Sequence, residues 1–350
     1  MMSSKNSLEN FLYITVGILL FVFAIELLTS SAGGMVPEIK DLLVLIDNSF
    51  NALGLGWIAS YVMLSGYPVT VFGLTLFDSG IINGLMTFFI INGSRLGASL
   101  IIIIIGLVEA LKNKNIDMVD STSLGFLSLM ITYMIVLPAI IIGLIIVRLG
   151  IFTVSFEIGF LSIIDVIYSP VVNPVLSFLG PFKGLILAIL SLYLALSIFE
   201  KPFHRIKIEN FKSSWINFLM EHKIYSFLFG AVLTFFSQSV ALSIGLIVPL
   251  YNRGFLQRRN LIPYIMGACV TTFGGTLAVA FLIGNHSAVN ITLAVILANF
   301  LVCMFYMAFY DSFYEYISSL VNFFLMDEWR LLILVISMFL IPFMMIFISF

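Results

Sequence analysis

Residues 235–281 read FFSQSVALSIGLIVPLYNRGFLQRRNLIPYIMGACVTTFGGTLAVAF. A Gln238-Ser239 pair interrupts one apolar run, a basic tip follows, and a second apolar run is broken between Gly267 and Thr272. In a bilayer every backbone polar group at depth needs an internal partner, so unwound polar backbone is tolerated there only where it is buried in protein or lines a cavity. The stretch is therefore a candidate binding site if the chain lies in a membrane. Composition settles that condition. The chain is 61% apolar and only 10% charged, where a soluble domain carries about 25% charge, and its mean hydropathy is +1.16. The reading is an all-α integral membrane protein of the multi-pass, cell-membrane class.

The same composition excludes other classes. A net charge of -2 offers no concentrated Lys and Arg surface for a phosphate backbone, so nucleic acid is not a partner. Cys269 and Cys303 both sit in apolar segments, which leaves no disulfide framework and no Cys-rich metal site. There is no H-E-x-x-H, no G-x-S-x-G and no paired acid motif in one span, and Ser239 has no His or Lys in its own span to activate it, so the chain does not read as an enzyme. Phe11 to Leu28 is longer than the core of a signal peptide and reads as a retained helix.

Taken in order, the apolar runs divide the chain into four parts. Residues 1–120 hold a first span, an apolar segment 53–76 interrupted by Ser65-Gly66-Tyr67-Pro68, and a segment 81–111 interrupted by Asn92 to Ser99. Proline removes a donor and disfavours helix at the residue before it, so 53–76 reads as a re-entrant hairpin and 81–111 as a broken helix. Residues 121–183 connect, with a span over Leu124 to Val147, a shorter apolar segment over Ile151 to Tyr168 and a proline-rich connector over Ser169 to Lys183. Residues 184–283 repeat the first pattern with a hairpin at 224–250 and a broken helix at 261–283, and residues 284–350 close with spans over Asn290 to Phe309 and Leu331 to Phe350.

The order of features in the second part is that of the first, and an offset of 174 aligns them without a gap. It pairs Gly56 with Gly230, Ser65 with Ser239, Leu76 with Leu250, Gly80 with Gly254, Ile91 with Ile265, Gly93 with Gly267 and Glu26 with Glu200. The acidic loop after the first span and the Asp78 tip correspond to a basic loop, 201–223, and an arginine-rich tip, 252–260. Positive residues favour the cytoplasmic side, which places both basic segments there and the two copies in opposite orientation. Two inverted repeats, each with a re-entrant hairpin and a broken transmembrane helix, point to a secondary transporter with its site near the midplane. Opposite orientation needs an odd number of crossings between Lys112 and Lys183, whereas two apolar segments are present, so one of them is interfacial or re-entrant or the connector returns through the membrane.

The residues resemble the type II sodium/phosphate cotransporter family. Its two repeats carry G-A-x-x-T-x-x-x-Q-S and then G-A-N-x-G-T-T, with QSSS as the hallmark of each half. Here Gly230-Ala231-Val232-Leu233-Thr234 precedes Gln238-Ser239, Gly254 sits at the tip, Pro263 falls at the usual proline and Gly267 opens the second motif. In the first half Gly56, Leu64-Ser65, Gly80, Gly93 and Gly97 take the same places. QSSS appears as Leu64-Ser65-Gly66-Tyr67 and as Gln238-Ser239-Val240-Ala241, and the Asn of the second motif is Arg95 in one copy and Cys269 in the other. The resemblance implies sodium-coupled symport of inorganic phosphate, with sodium as the coupling ion and no other cofactor. It implies an anion site at Ser65, Gly66, Ser94, Arg95, Ser99, Gln238, Ser239, Thr271 and Thr272, with sodium near Gln238, Ser239, Ser243, Thr271 and Thr272.

Each of these residues has a plainer role available. Gln238 and Ser239 could be interhelical hydrogen-bonding glue worth about 0.6 kcal/mol, and Thr271 and Thr272 could bond back to their own helix. Glu26 and Glu200, near span ends, read as interfacial. Arg95 is the exception, because an arginine at mid-bilayer costs at least about 2.5–3.5 kcal/mol and such residues are functional by default. Its plain role is a structural pair with Glu26 or another acid. Its functional role is a fixed positive charge whose planar fork matches two oxygens of an oxyanion. The alternatives to a sodium-coupled carrier are an uncoupled anion permease or channel, or a sodium-independent carrier in which Arg95 replaces a coupling cation.

Overall fold

A computed structural model describes residues 4–34, 48–112, 118–155, 159–204, 218–252 and 256–347. Most of the basic loop 201–223, Arg253 and Gly254 of the tip, and Glu38 to Asp47 of the acidic loop lie outside the described residues. The chain is an all-α membrane protein: among the described residues seven helices are long and apolar enough to cross a bilayer and there is no strand. In chain order the helices are α1 (Ser4–Gly34), α2 (Ser49–Met63), α3 (Tyr67–Asp78), α4 (Gly84–Lys112), α5 (Met118–Arg148), α6 (Gly159–His204), α7 (Lys223–Ser237), α8 (Val240–Asn252), α9 (Arg258–Thr271), α10 (Phe273–Ile283), α11 (His286–Ala308), α12 (Tyr310–Leu325) and α13 (Glu328–Phe347).

Both interrupted hairpin segments are helix–turn–helix units. Asn48 begins the first by accepting from the amides of Phe50 and Asn51, while the Asn51 side chain accepts from the Asn48 amide, which is the reciprocal arrangement of a capping box. The first helices of the two units end on left-handed residues, Leu64 at φ 48° and Gln238 at φ 54°. Among the described residues these are the only non-glycine positions with positive φ, and they lie at the offset of 174. The helix bounds follow the same offset: α2 ends at Met63 and α7 at Ser237, α3 ends at Asp78 and α8 at Asn252, α4 begins at Gly84 and α9 at Arg258.

Packing repeats as well, and glycine explains why. A Cβ on Gly93 would collide with the Leu53 carbonyl, and one on Gly267 with the Phe227 carbonyl; Gly56 and Gly230 stand in the same relation to the carbonyls of Ile90 and Tyr264. Backbones this close admit no side chain at the crossing, which is how small residues bring membrane helices together. At the next position the two halves differ in chemistry but agree in geometry. Gly97 lies against the Trp57 carbonyl, whereas Thr271 donates its hydroxyl to the equivalent Ala231 carbonyl at 2.8 Å.

Segments related by the offset run in opposite directions. Along α1 and the arm of α6 after residue 180, Gly17 faces Phe199, Ser31 faces Gly184 and Gly34 faces Pro181. Tyr306 of α11 donates to the Met134 carbonyl of α5 at 3.0 Å while Gly143 faces Ala298. Helix α3 runs alongside α10, through Tyr67 to the Gly275 carbonyl, Thr70 to Thr276 and Asn285 to Asp78, but against α4, with Gly66 at Ser94 and Gly73 at Ile90. Helices α4 and α9–α10 are therefore antiparallel.

Two expectations differ from the structure, and one helix was not foreseen. Segment 81–111 is not broken: α4 is continuous, because Asn92, Ser94 and Ser99 bond back to the carbonyls of Phe88, Ile91 and Leu96 and its glycines serve close packing rather than unwinding. The proline-rich connector is helical. Pro170 and Pro174 lie within α6, the chain reverses at Gly180 (φ 75°), and Pro181 starts the returning arm, where its missing N–H costs nothing. The unforeseen helix is α12, which no apolar run announced; its buried Tyr310, Phe313, Ile317 and Val321 recur at helical spacing.

Candidate functional site

The tips of the two hairpins meet. Leu64, Ser65, Gly66 and Tyr67 of the first and Gln238, Ser239, Val240 and Ala241 of the second line one cavity of about 90 Å³ together with Thr70, Ser94, Arg95, Ala98, Ile101, Ile102, Leu196, Glu200, Thr272, Phe273 and Thr276. The second helix of each hairpin starts at this cavity. A helix start carries orphan amide donors and the positive end of its dipole, so two helix N-termini converge on the same small volume. Ser239 caps one of them by accepting from the Leu242 amide at 3.2 Å.

Arg95 stands at the wall between the halves. It is 6% exposed, its Nη2 donates to Cys269 Sγ at 3.5 Å, and its Nε has no hydrogen-bond partner. Among the described residues no carboxylate lies within ion-pair distance of it. The structural pairing with Glu26 is thus not what holds Arg95. Cys269 is the residue 174 positions away, the same place in the other half, so the guanidinium sits where the two halves meet their own counterparts. The thiol also approaches Thr132 Oγ1 at 3.6 Å. A thiol is a weak acceptor, so Arg95 has no ion-pair partner among the described residues, with Glu200 in the lining of the same cavity.

Two carriers of the site cross between halves. Tyr67 donates to the Gly275 carbonyl at 3.1 Å, and the hydroxyls of Thr70 and Thr276 lie 3.2 Å apart. Gly275 admits this approach because a Cβ there would strike both Gln238 Oε1 and the Tyr67 ring. Gln238 Oε1 is itself buried without a hydrogen-bond partner.

Residues 192–343 match the model of the Na+/Pi-cotransporter family. The match covers less than half of the chain and is a similarity of that segment. No curated protein and no solved structure matches the chain. The matched segment runs from the returning arm of α6 to α13 and supplies Glu200, Gln238, Ser239, Thr272 and Thr276 to the cavity, while Ser65, Gly66, Ser94 and Arg95 come from the part before it.

Of the residues singled out in the sequence, Ser65, Gly66, Ser94, Arg95, Gln238, Ser239 and Thr272 line the cavity. Ser99, Thr271 and Ser243 do not. Ser99 donates to the Leu96 carbonyl at 2.6 Å, Thr271 to Ala231, and Ser243 shares a 2.6 Å hydrogen bond with Tyr264. Four polar lining residues went unforeseen: Tyr67, Thr70, Thr276 and Glu200. Glu200 lines the cavity with Ser239 of the second hairpin tip. Its pairing with Glu26 at the offset of 174 was the signal in the sequence that it belongs to the repeat.

Proposed function

We propose that the chain is a secondary active transporter that carries inorganic phosphate across the cell membrane, coupled to sodium, by alternating access about this cavity. The observation that carries the reading is Arg95: a buried guanidinium with an unused donor, between two helix N-termini, in a chain whose residues 192–343 match the Na+/Pi-cotransporter family model. Everything that a small oxyanion needs is a donor, and hydroxyls, orphan amides and a fixed cation supply donors from three directions. The volume of about 90 Å³ is far below the roughly 300–1,000 Å³ of pockets for drug-sized ligands, which favours an inorganic ion. Gln238 Oε1, Ser239 and Thr272 offer the hard oxygen ligands that a sodium ion takes. The two halves act as inverted repeats, with 1–120 and 184–283 as the moving partners, 121–183 connecting them and 284–350 packed outside; loop 201–223 and tip 252–260 face the cytoplasm.

Radiolabelled phosphate uptake into proteoliposomes, with and without an inward sodium gradient, tests this. Saturable uptake driven uphill by sodium is the expected result. Flux that never exceeds equilibrium identifies a channel or uncoupled permease instead. A second reading has its own observation, since Arg95 occupies the Asn position of the family motif: a carrier in which the guanidinium replaces a coupling cation. Uphill uptake indifferent to sodium, and abolished by Arg95→Ala but partly kept by Arg95→Lys, would select it. Uptake indifferent to Arg95→Ala, Arg95→Lys and Arg95→Asn alike would remove Arg95 from the site.

A further inference from the structure

Beside the polar cavity lies a second one, of about 240 Å³, whose lining is of the opposite kind. Phe21 of α1, Leu196 and Phe199 of α6, Phe235 of α7 and Gly274 and Ala278 of α10 surround it with carbon. Tyr67 and Gln238 belong to the lining of both cavities, so these two side chains form a partition between them. Phe21 stands near the middle of the span 8–34, with its ring 5.9 Å from that of Tyr67, which puts the second cavity at the depth of the hairpin tips. Its rim faces outward: Ile18, Phe235 and Ala278 line it and are exposed. The offset of 174 sets Leu100, Ile101 and Ile104 against Gly274, Gly275 and Ala278. Branched side chains in the first half thus correspond to bare backbone and one methyl here, and small residues in place of large ones leave space.

We propose that this cavity binds the terminal segment of an acyl chain from the surrounding lipid, which enters between Ile18, Phe235 and Ala278 and packs against the backs of Tyr67 and Gln238. The lining selects a chain over a headgroup. It holds no charged side chain, and its donors are already used, the Tyr67 hydroxyl on the Gly275 carbonyl and the Gln238 amide on the Phe235 carbonyl. Depth selects the end of the chain. The hydrocarbon core is about 30 Å thick, so a headgroup lies roughly 15 Å from the midplane, where the chain ends of the two leaflets meet. Size agrees, since an apolar cavity of about 150 Å³ already holds benzene. An unfilled apolar space forfeits dispersion contacts on every wall, and an acyl chain restores them. Because the chain leaves surroundings as apolar as the cavity, no hydrophobic transfer adds to that gain, and the occupant exchanges with bulk lipid. While present it gives the partition a packing partner on the side away from the polar cavity. This claim stands whatever ion the polar cavity carries.

The test is photolabelling of the full chain in proteoliposomes with phosphatidylcholine that carries a diazirine near the methyl end of one acyl chain, with adducts mapped by peptide mass spectrometry. In the wild type, Tyr67 and Gln238 should be labelled alongside Ile336, a lipid-facing residue of α13 that is 51% exposed. A diazirine placed next to the headgroup should label the partition at least about fivefold less, as its depth in the bilayer requires. Ala278→Phe puts a ring in the rim, and Ala195→Leu fills the cavity from α6. Each should lower labelling of Tyr67 and Gln238 at least about fivefold by occupying the space while leaving Ile336 unchanged. Two separate variants keep the test usable if one fails to fold. Labelling of Ile336 with none at Tyr67 or Gln238 in the wild type overturns the proposal, and so does partition labelling that neither variant reduces. An unlabelled partition together with disulfide-linked dimers of Ile18→Cys would show a second copy of the chain seated at the rim instead of lipid, which overturns it as well.

Discussion

Leu64 and Gln238 hold a backbone conformation that costs a residue with a Cβ about 1–2 kcal/mol, and both do so where a hairpin tip meets the cavity. The Leu64 side chain is 59% exposed, so little packing offsets that cost. Leu64→Gly removes it at an entropic loss of about 0.5–1 kcal/mol. The expected outcome is a gain of up to ~1 kcal/mol in thermal unfolding followed by tryptophan fluorescence; a loss would show that the leucine side chain holds the tip. Cys269 supports a sharper expectation. As a weak, neutral acceptor it orients Arg95 without cancelling its charge. Cys269→Asp places a carboxylate against the guanidinium, and the resulting pair should lower phosphate affinity at least tenfold while leaving the protein folded. Cys269→Ala removes only a weak bond and should alter affinity far less. Equal phosphate binding by Cys269→Asp and the wild type would mean that the charge of Arg95 does not reach the anion.

At the scale of elements, four glycines set how closely each hairpin lies on its neighbour. Gly93→Ala and Gly267→Ala each drive a methyl into a carbonyl of the facing helix, and overpacking of that kind costs about 1–3 kcal/mol or more. Both should destabilise to a similar extent. Gly245→Ala, where nothing lies within 4 Å, should stabilise by about 0.5–1 kcal/mol. Strong destabilisation at one of the paired glycines and none at the other would break the equivalence of the two crossings. These glycines were legible in the sequence because a repeat fixes them twice, at Gly56 and Gly230 and at Gly93 and Gly267. The hairpins were legible for the same reason, with Ser65 and Ser239 marking both tips. What the sequence hid is instructive. Asn92 to Ser99 looks like a break because its composition is polar, yet the side chains of Asn92, Ser94 and Ser99 each bond back to a carbonyl within their own helix. The same back-bonding is invisible in a one-dimensional pattern. Glu200 was hidden by its place near the end of a span, since nothing in the local sequence says that α6 leans its last turns against the second hairpin. Helix α12 escaped because its buried face is only one residue in three or four.

At the scale of the molecule the argument turns on direction. Helix α4 and the α9–α10 pair are equivalent in sequence order and antiparallel in space, as are α1 with the returning arm of α6 and α5 with α11. A twofold axis along the membrane normal leaves equivalent helices parallel, whereas an axis in the membrane plane reverses them. The segment just before α4 and the one just before α9 should then emerge on opposite faces. Single cysteines at Ser79→Cys and Gln257→Cys report this with an impermeant thiol reagent applied to right-side-out and inside-out vesicles. Native Cys269 and Cys303 are 1% and 0% exposed and remain silent. One position should label only from outside and the other only from inside, with Gln257→Cys on the cytoplasmic face because Arg258 and Arg259 adjoin it. Labelling of both from one face would rule out the inverted arrangement and, with it, a mechanism in which each hairpin seals the cavity from a different side. Labelling from opposite faces would support the proposed alternating access, in which Arg95, on the meeting line of the halves, would keep the same relation to the cavity whichever side is open and a single fixed cation would serve both states.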